Sequence, residues 1–280
     1  MAKFEINRKT FTNQAEFIKR GYRCATDIPT PLQKERTRNE IALMRSAMAP
    51  VQNVTINVQF IHITNGNKGR ITEDQRLKQI KVLNNAYSNT GIEFVYKPET
   101  VKVVDKPAWF NMGHRSAAER EAKTELHIPP EYALNFYTAE LQAALLGWAT
   151  FPDQLQGDKV MDGVVILHST LPGGTAEPFN LGETATHEIG HWLGLYHTFQ
   201  DGCTAEGDEV DDTEAHAGPN FGCKNTLTDK DNYCPGQTQA PLKNFMNYVD
   251  DKCMTEFTPG QIGRMKDMIT TYRSGLIFGP

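Results

Sequence analysis

The amino-acid sequence predicts an α+β fold, and three observations carry that prediction. Apolar Val54, Ile56, Val58 and Phe60 alternate with Thr55, Asn57 and Gln59, the period of a half-buried strand. Thr72 and Gln75 form a T-x-x-Q capping box ahead of Leu77, Ile80, Leu83 and Tyr87, which recur at helical spacing until Gly91. Thr258-Pro259-Gly260-Gln261 joins an N-cap, a proline at the first helical position and a capping-box glutamine. Ile262, Met265, Ile269 and Tyr272 then make one face of a terminal helix.

Taken in order, residues 1–50 form a basic head, with 10 Lys+Arg against 5 Asp+Glu in a chain of net charge -5. Such a head can bind an acidic partner, lie across its own domain and cover it, or trail as a solvated tail. Its first ten residues are polar and lack the apolar stretch of a signal peptide. Pro29, Pro31 and Pro50 mark residues 26–50 as an exposed connector and set a boundary near residue 50. The body then opens with the strand from Val54 and the helix from Thr72, followed by a strand over 92–96. Residues 116–125 read as helical, 146–151 as a short strand and 163–168 as a buried one. The length of 280 residues permits one large core, and no apolar run of 18 residues is present to cross a membrane. The negative net charge argues against nucleic acid as a partner, because that affinity comes from neutralising phosphates.

Of the five cysteines, Cys24 stands alone in the head while Cys203, Cys223, Cys234 and Cys253 crowd the last third. Without any CxxC spacing they predict two bridges and a free thiol in an oxidising compartment, and spacing alone permits three pairings.

Residues 187–197 read HEIGHWLGLYH. His187 and His191 lie four apart and project from one side of a helix, so two imidazoles can grip one cation. A continuous helix would carry His197 out of reach; Gly194, free to turn left-handed, ends the helix and brings His197 back as third ligand. Three histidines with an open position for water describe a catalytic zinc site, and Glu188, beside the first ligand, is placed to take a proton from that water. Ile189, Trp192, Leu193 and Tyr196 form the opposite, core-facing side. HExxH alone arises by accident, whereas five fixed positions do not.

The motif HExxHxxGxxH resembles the signature of metzincin metalloproteases. With LGWATFP at 146–152, HEIGHWLGLYHTF at 187–199 and NFMNY at 244–248, the chain is similar to the pappalysin family, in particular its small microbial members. The resemblance implies a twisted mixed sheet, an active-site helix, and an irregular C-terminal subdomain (198–280) after an N-terminal one (51–197). It implies a Met-turn at Met246 beneath the zinc and a Tyr248 hydroxyl directed at the oxyanion of the tetrahedral intermediate. Residues 146–151 become a cleft edge whose backbone around Trp148 and Ala149 binds an extended polypeptide substrate. Asp251 falls at the base of the pocket that selects Arg or Lys after the cut. The acidic loop 207–214 resembles a calcium loop, with Gly207, Asp208, Val210, Asp212 and Thr213 as ligands. The family's disulfide pattern pairs Cys203 with Cys234 and Cys223 with Cys253, each bridge contributing about 3 to 4 kcal/mol.

Small pappalysins also carry a short pro-segment, so Cys24 is expected to act as a cysteine switch: an intramolecular inhibitor that occupies the open zinc position in the latent form. The usual Cys-Gly is here Cys24-Ala25. Lys34, Arg36, Arg38 and Arg45 offer self-processing sites. The expectation is a monomeric, secreted zinc endopeptidase. Rivals are a non-catalytic zinc- and calcium-binding peptide module, and a zinc amidase or deacetylase.

Overall fold

The computed structural model describes residues 4–6, 9–11, 23–223, 232–237 and 240–278. Near the N-terminus β1 (Phe4–Ile6) pairs antiparallel with β2 (Lys9–Phe11). Helix α1 (Pro31–Ala47) follows. The body then runs β3 (Val54–Thr64), α2 (Glu73–Ala86), β4 (Ile92–Val95), β5 (Lys102–Asp105), α3 (Pro107–Phe110), β6 (Asn111–Met112) and α4 (Ala117–Leu126). Next come β7 (Leu134–Leu141), β8 (Gly147–Ala149), β9 (Val164–Leu167) and α5 (Glu183–Trp192), and the chain closes with α6 (Pro259–Tyr272) and α7 (Gly275–Phe278).

The main sheet has the order β4-β3-β7-β9-β8, with β5 also on β3 and β6 on β7. Every pairing is parallel except β8 with β9. It is a mixed sheet of an α+β fold, and β8 is its edge. Helices cover both faces. One apolar cluster joins Ile56, Val58 and Phe60 to Ile189 and Trp192 of α5 and Met265 of α6; another joins Ile61, Tyr137 and Trp148 to Trp109 and Leu126. Parallel strands covered on both faces lose their alternation, and β3 does so from Val58 onward.

Two expectations are corrected. Residues 26–50 are not a connector throughout, because 31–47 form the 17-residue helix α1, capped by Thr30 with Gln33 closing a capping box and Pro31 at its first position. Proline breaks helix interiors but suits the first turn, where its missing N–H has no partner to lose. Lys34, Arg36, Arg38 and Arg45 all lie inside α1. In α2 the buried face includes Gln79 rather than Leu77, which is exposed; the Gln79 amide donates to the Gly182 carbonyl at 3.0 Å and anchors the approach to α5. Residues 1–3, 7–8 and 12–22 and Lys224 to Asp231 lie outside the described residues.

Candidate metal centre and cleft

Helix α5 is buried along its length from Thr184 to Trp192. Its far end is pinned by the fully buried pair Arg273–Asp162 (2.8 Å), with the Trp192 indole N–H donating to Asp162 at 3.1 Å and the Arg273 guanidinium 3.7 Å over the Trp192 ring. The helix stops because Gly194 takes φ +94°; a side chain there would collide with Met268. Leu195 N–H donates to the Gly190 carbonyl at 2.9 Å and turns the chain back.

His197 thereby returns to the other two histidines. The Nε2 atom of His191 stands 3.2 Å from that of His187 and 3.1 Å from that of His197. Nδ1 of His187 donates to the Phe245 carbonyl and Nδ1 of His191 to the Leu195 carbonyl, each at 2.7 Å. Those bonds fix both protons on Nδ1, so the Nε2 lone pairs converge. Lone pairs at such separations repel one another, and a cation among them turns repulsion into ligation. The donor set, three buried imidazoles, suits zinc. Burial lowers the His187 pKa to about 4 and, with the neighbouring imidazoles, lowers those of His191 and His197 well below the usual value. The rings are therefore neutral, the form that binds metal.

Cys24 is the fourth member: its sulfur and the three histidine nitrogens all lie within 4.8 Å of one another. Residues 23–26 reach it as an added strand, parallel to β8. Leu146 N–H donates to the Arg23 carbonyl (2.8 Å) and Ala25 N–H to the Gly147 carbonyl (3.0 Å). Thr26 Oγ1 accepts from Ala149 N–H (2.8 Å) and donates to Glu188 Oε2 (2.9 Å), which lies 3.3 Å from the Cys24 sulfur. The head thus covers its own domain. Outward-facing edge groups belong to Leu146, Gly147 and Ala149, whereas the Trp148 side chain is buried behind the strand, its indole donating to Glu119 at 2.7 Å.

Glu188 is buried against Gly147, where a Cβ would strike its Cγ. Burial pushes its carboxyl up to about 8, with the bonds from Thr26 and Cys24 opposing. Met246 is fully buried with its sulfur against Gly190, so a side chain at Gly190 would displace it. The Tyr248 ring centre lies 5.1 Å from that of His197 and 5.7 Å from that of His187. Asp251 is buried, and its Oδ2 accepts from the N–H groups of Leu181 (2.9 Å) and Glu183 (3.3 Å); burial raises its pKa to about 6.

In the acidic loop, Asp208 is 4% exposed; Oδ1 accepts from Val210 N–H (3.2 Å) and the Thr213 hydroxyl (2.6 Å), and buried Oδ2 meets no hydrogen-bond donor among the described residues. Two residues of the loop are engaged elsewhere. The Gly207 carbonyl accepts from Lys34 Nζ at 3.2 Å, and Asp212 caps α6, accepting from the Thr258 hydroxyl (2.6 Å) and Gly260 N–H (2.8 Å). Cys203 is bonded to Cys234 and Cys223 to Cys253, while Cys24 is free and buried.

Known proteins match this arrangement. A family model described as pregnancy-associated plasma protein-A matches residues 132–270. An extracellular metalloprotease of Arthroderma benhamiae is 42% identical over 230 residues, covering 80% of this chain and 74% of its own. Extracellular metalloprotease 1 of Coccidioides posadasii is 34% identical over 263 residues, covering 91% and 92%. The chain belongs to the pappalysin family of metalloproteases. A point mutant of Tannerella forsythia promirolysin superimposes with TM-score 0.76 at 25% identity, covering 91% of this chain and 96% of the other. Mature mirolysin in complex with a cleaved peptide gives 0.68 at 26% identity, covering 81% and 98%. As a pappalysin the chain is a zinc metalloendopeptidase with a metzincin fold. Among the described residues no helix is long and apolar enough to cross a membrane.

Sequence reasoning did not single out Gly147 or Arg23. Gly147 stood inside the LGWATFP motif without a role, and its role is to admit Glu188. Arg23 directly precedes Cys24, and its position there was the available signal.

Proposed function

We propose that the chain is a latent endopeptidase in which His187, His191 and His197 hold zinc, Glu188 is the general base, and residues 1–50 are a pro-segment ending near the boundary with a catalytic domain (51–280). The observation that carries this reading is the single cluster of Cys24 with the three histidines, reached by a strand that occupies the edge of β8. Zinc, once bound, supplies Lewis acidity, polarising the scissile carbonyl and lowering the pKa of water to about 7.

This chain's residues do the rest. The buried Glu188 carboxylate takes the proton of the attacking water and returns it to the leaving amine. Tyr248, packed on the His187 and His197 rings, donates to the developing oxyanion. Leu146 N–H, the Gly147 carbonyl and Ala149 N–H align an extended peptide as an antiparallel strand once residues 23–26 leave. Asp251 lies in the pocket for a basic residue after the cut. Cys24 completes the latent metal site, and Thr26 holds Glu188 out of use. Calcium fits the acidic loop at Asp208, whose orphaned Oδ2 asks for a cation; Val210 and Thr213 stand beside it, with Gly207 and Asp212 as outer members. The extracellular names of the relatives support secretion, and a monomer suffices because every named group comes from one chain.

Glu188→Ala is the test. Metal analysis should still return about one zinc per chain, while cleavage of casein, controlled with a chelator, falls by roughly 10²–10⁴-fold. Activity persisting at the wild-type level ends the assignment of the base.

A further inference from the structure

The head meets β8 at both ends. Arg23 stands in the pocket of Asp251, beside Leu146, where the strand begins. Four residues on, Asp27 reaches a groove of about 540 Å³ at Ala149, lined by His114, Arg115, Trp148 and Thr150 of the body and by Gln33 and Arg36 of α1. Its carboxylate pairs with the Arg115 guanidinium and lies 3.9 Å from Nε2 of His114. Glu119, 1% exposed, accepts from Arg115 N–H at 2.6 Å and from the Trp148 indole at 2.7 Å, so one buried carboxylate fixes Arg115 relative to the edge strand. Arg115 takes φ +57° there, a conformation that a residue other than glycine keeps only where its surroundings impose it.

The other acids of the groove have cations of their own. Glu119 pairs with Lys123 at 2.8 Å, both buried, and Asp158 pairs with Arg120. Asp153 has Arg264, Arg36 and Glu40 as its charged neighbours. The Arg115 side chain is 68% exposed, and among the described residues Asp27 is the one carboxylate paired with it. Burial holds the His114 pKa below its usual value against the pull of Asp27 and Glu119, so near neutral pH the positive charge facing Asp27 is that of Arg115.

We propose that Arg115 recognises an acidic side chain, Asp or Glu, lying two to four residues before the scissile bond, and that Asp27 takes its place in the latent chain. The inference rests on reading the Asp251 pocket as the one that takes the residue after the cut and β8 as the edge that binds substrate antiparallel. Residues 23–26 run parallel to β8. A substrate runs the other way, so its residues ahead of the cut lie where the head places those that follow Arg23. The four steps from Arg23 to Asp27 set the fourth residue before the cut as the far limit, and the reach of an Asp or Glu side chain along the strand admits the second and third. A guanidinium offers a carboxylate two parallel donors and repels a cation. Its exposure keeps the gain modest.

The experiment uses the full-length chain after activation and a peptide set that keeps Arg after the cut and places Asp, Asn or Lys at the second, third or fourth residue before it; a control carries Leu in place of that Arg. At one of the three positions the wild type should show a kcat/KM about fivefold higher for Asp than for Asn, with Lys below both, and the gain should sit in KM. Arg115→Gln should bring the Asp to Asn ratio to about one, and Arg115→Glu should reverse the order so that Lys leads. Zinc content and melting temperature matching the wild type establish that the variants are folded. A wild type that cuts before Arg yet is indifferent to Asp at all three positions, or an Asp preference that survives Arg115→Glu, overturns the inference alone. A wild type that cuts the Leu control as well as the Arg peptide overturns the reading of the Asp251 pocket and the inference with it.

Discussion

The first fifty residues touch the body at two places by different physics. Residues 24–26 are at most 2% exposed, and each makes backbone or side-chain bonds inside the cleft. Helix α1 lies on the surface with only Lys34, Thr37 and Ile41 buried, and it meets α6 and the loops before it through charge: Lys34–Asp201 at 2.6 Å, Arg38–Glu209 at 3.1 Å, Arg45–Asp267 at 2.5 Å. Ion pairs that keep one member in solvent, as each of these does, contribute about 0 to 1 kcal/mol, whereas a buried bond to a charged group contributes about 1.5 to 3. Basic charge dominates the head by count, yet the weight of the contact falls on a cysteine and a threonine.

The largest effect should therefore come from the strand. In the full-length chain, Cys24→Ala should raise hydrolysis of a fluorogenic peptide roughly hundredfold, about 2.7 kcal/mol in barrier terms. A variant as silent as the wild type places the latch elsewhere and reverses the comparison.

Lys34 belongs to the helix but is itself buried, so it sharpens the contrast between burial and element. Lys34→Met removes the donor to Asp201 and to the Gly207 carbonyl while keeping the aliphatic stem. Asp201 is 40% exposed and regains water, which limits the cost to about 1 kcal/mol. Basal hydrolysis by the full-length variant should rise about fivefold, and tryptic nicking at Arg36 should quicken alongside it. An effect equal to that of Cys24→Ala would mean that the helix, rather than the strand, governs access.

The same contrast explains what was legible. Thr30-Pro31-Leu32-Gln33 and Thr258-Pro259-Gly260-Gln261 start helices in the same way. Only the second was read, because Met265 and Ile269 behind it form an apolar face, whereas α1 docks by ion pairs and leaves Leu32 and Leu43 exposed. The zinc-binding pattern was legible because its spacing is local: ligands four apart, then a glycine turn. Asp212 was read only with its acidic neighbours, whereas its hydrogen-bond partners, Thr258 and Gly260, lie 46 and 48 residues away in a helix start. Local spacing was readable; long-range partnership was not.

The smallest effect should be that of Arg38→Ala. Its side chain is 49% exposed, and Glu209, its partner, keeps a second cation in Arg264 at 3.1 Å, itself buried. Removing Arg38 therefore leaves no buried charge alone, and the loss should stay below about 0.5 kcal/mol. Arg45→Ala should cost clearly more, since it takes the ion-pair partner from the carboxylate of Asp267, which is 4% exposed. Basal hydrolysis of the full-length Arg38→Ala chain should lie within about twofold of wild type at low salt, and the gap should close as ionic strength rises through 0.15 M and the screening length shortens to about 8 Å. A leak that matches Lys34→Met and persists at high salt would show the exposed arginine holding α1 by packing instead of charge. The division between buried strand and charged helix would then fail at its weakest contact.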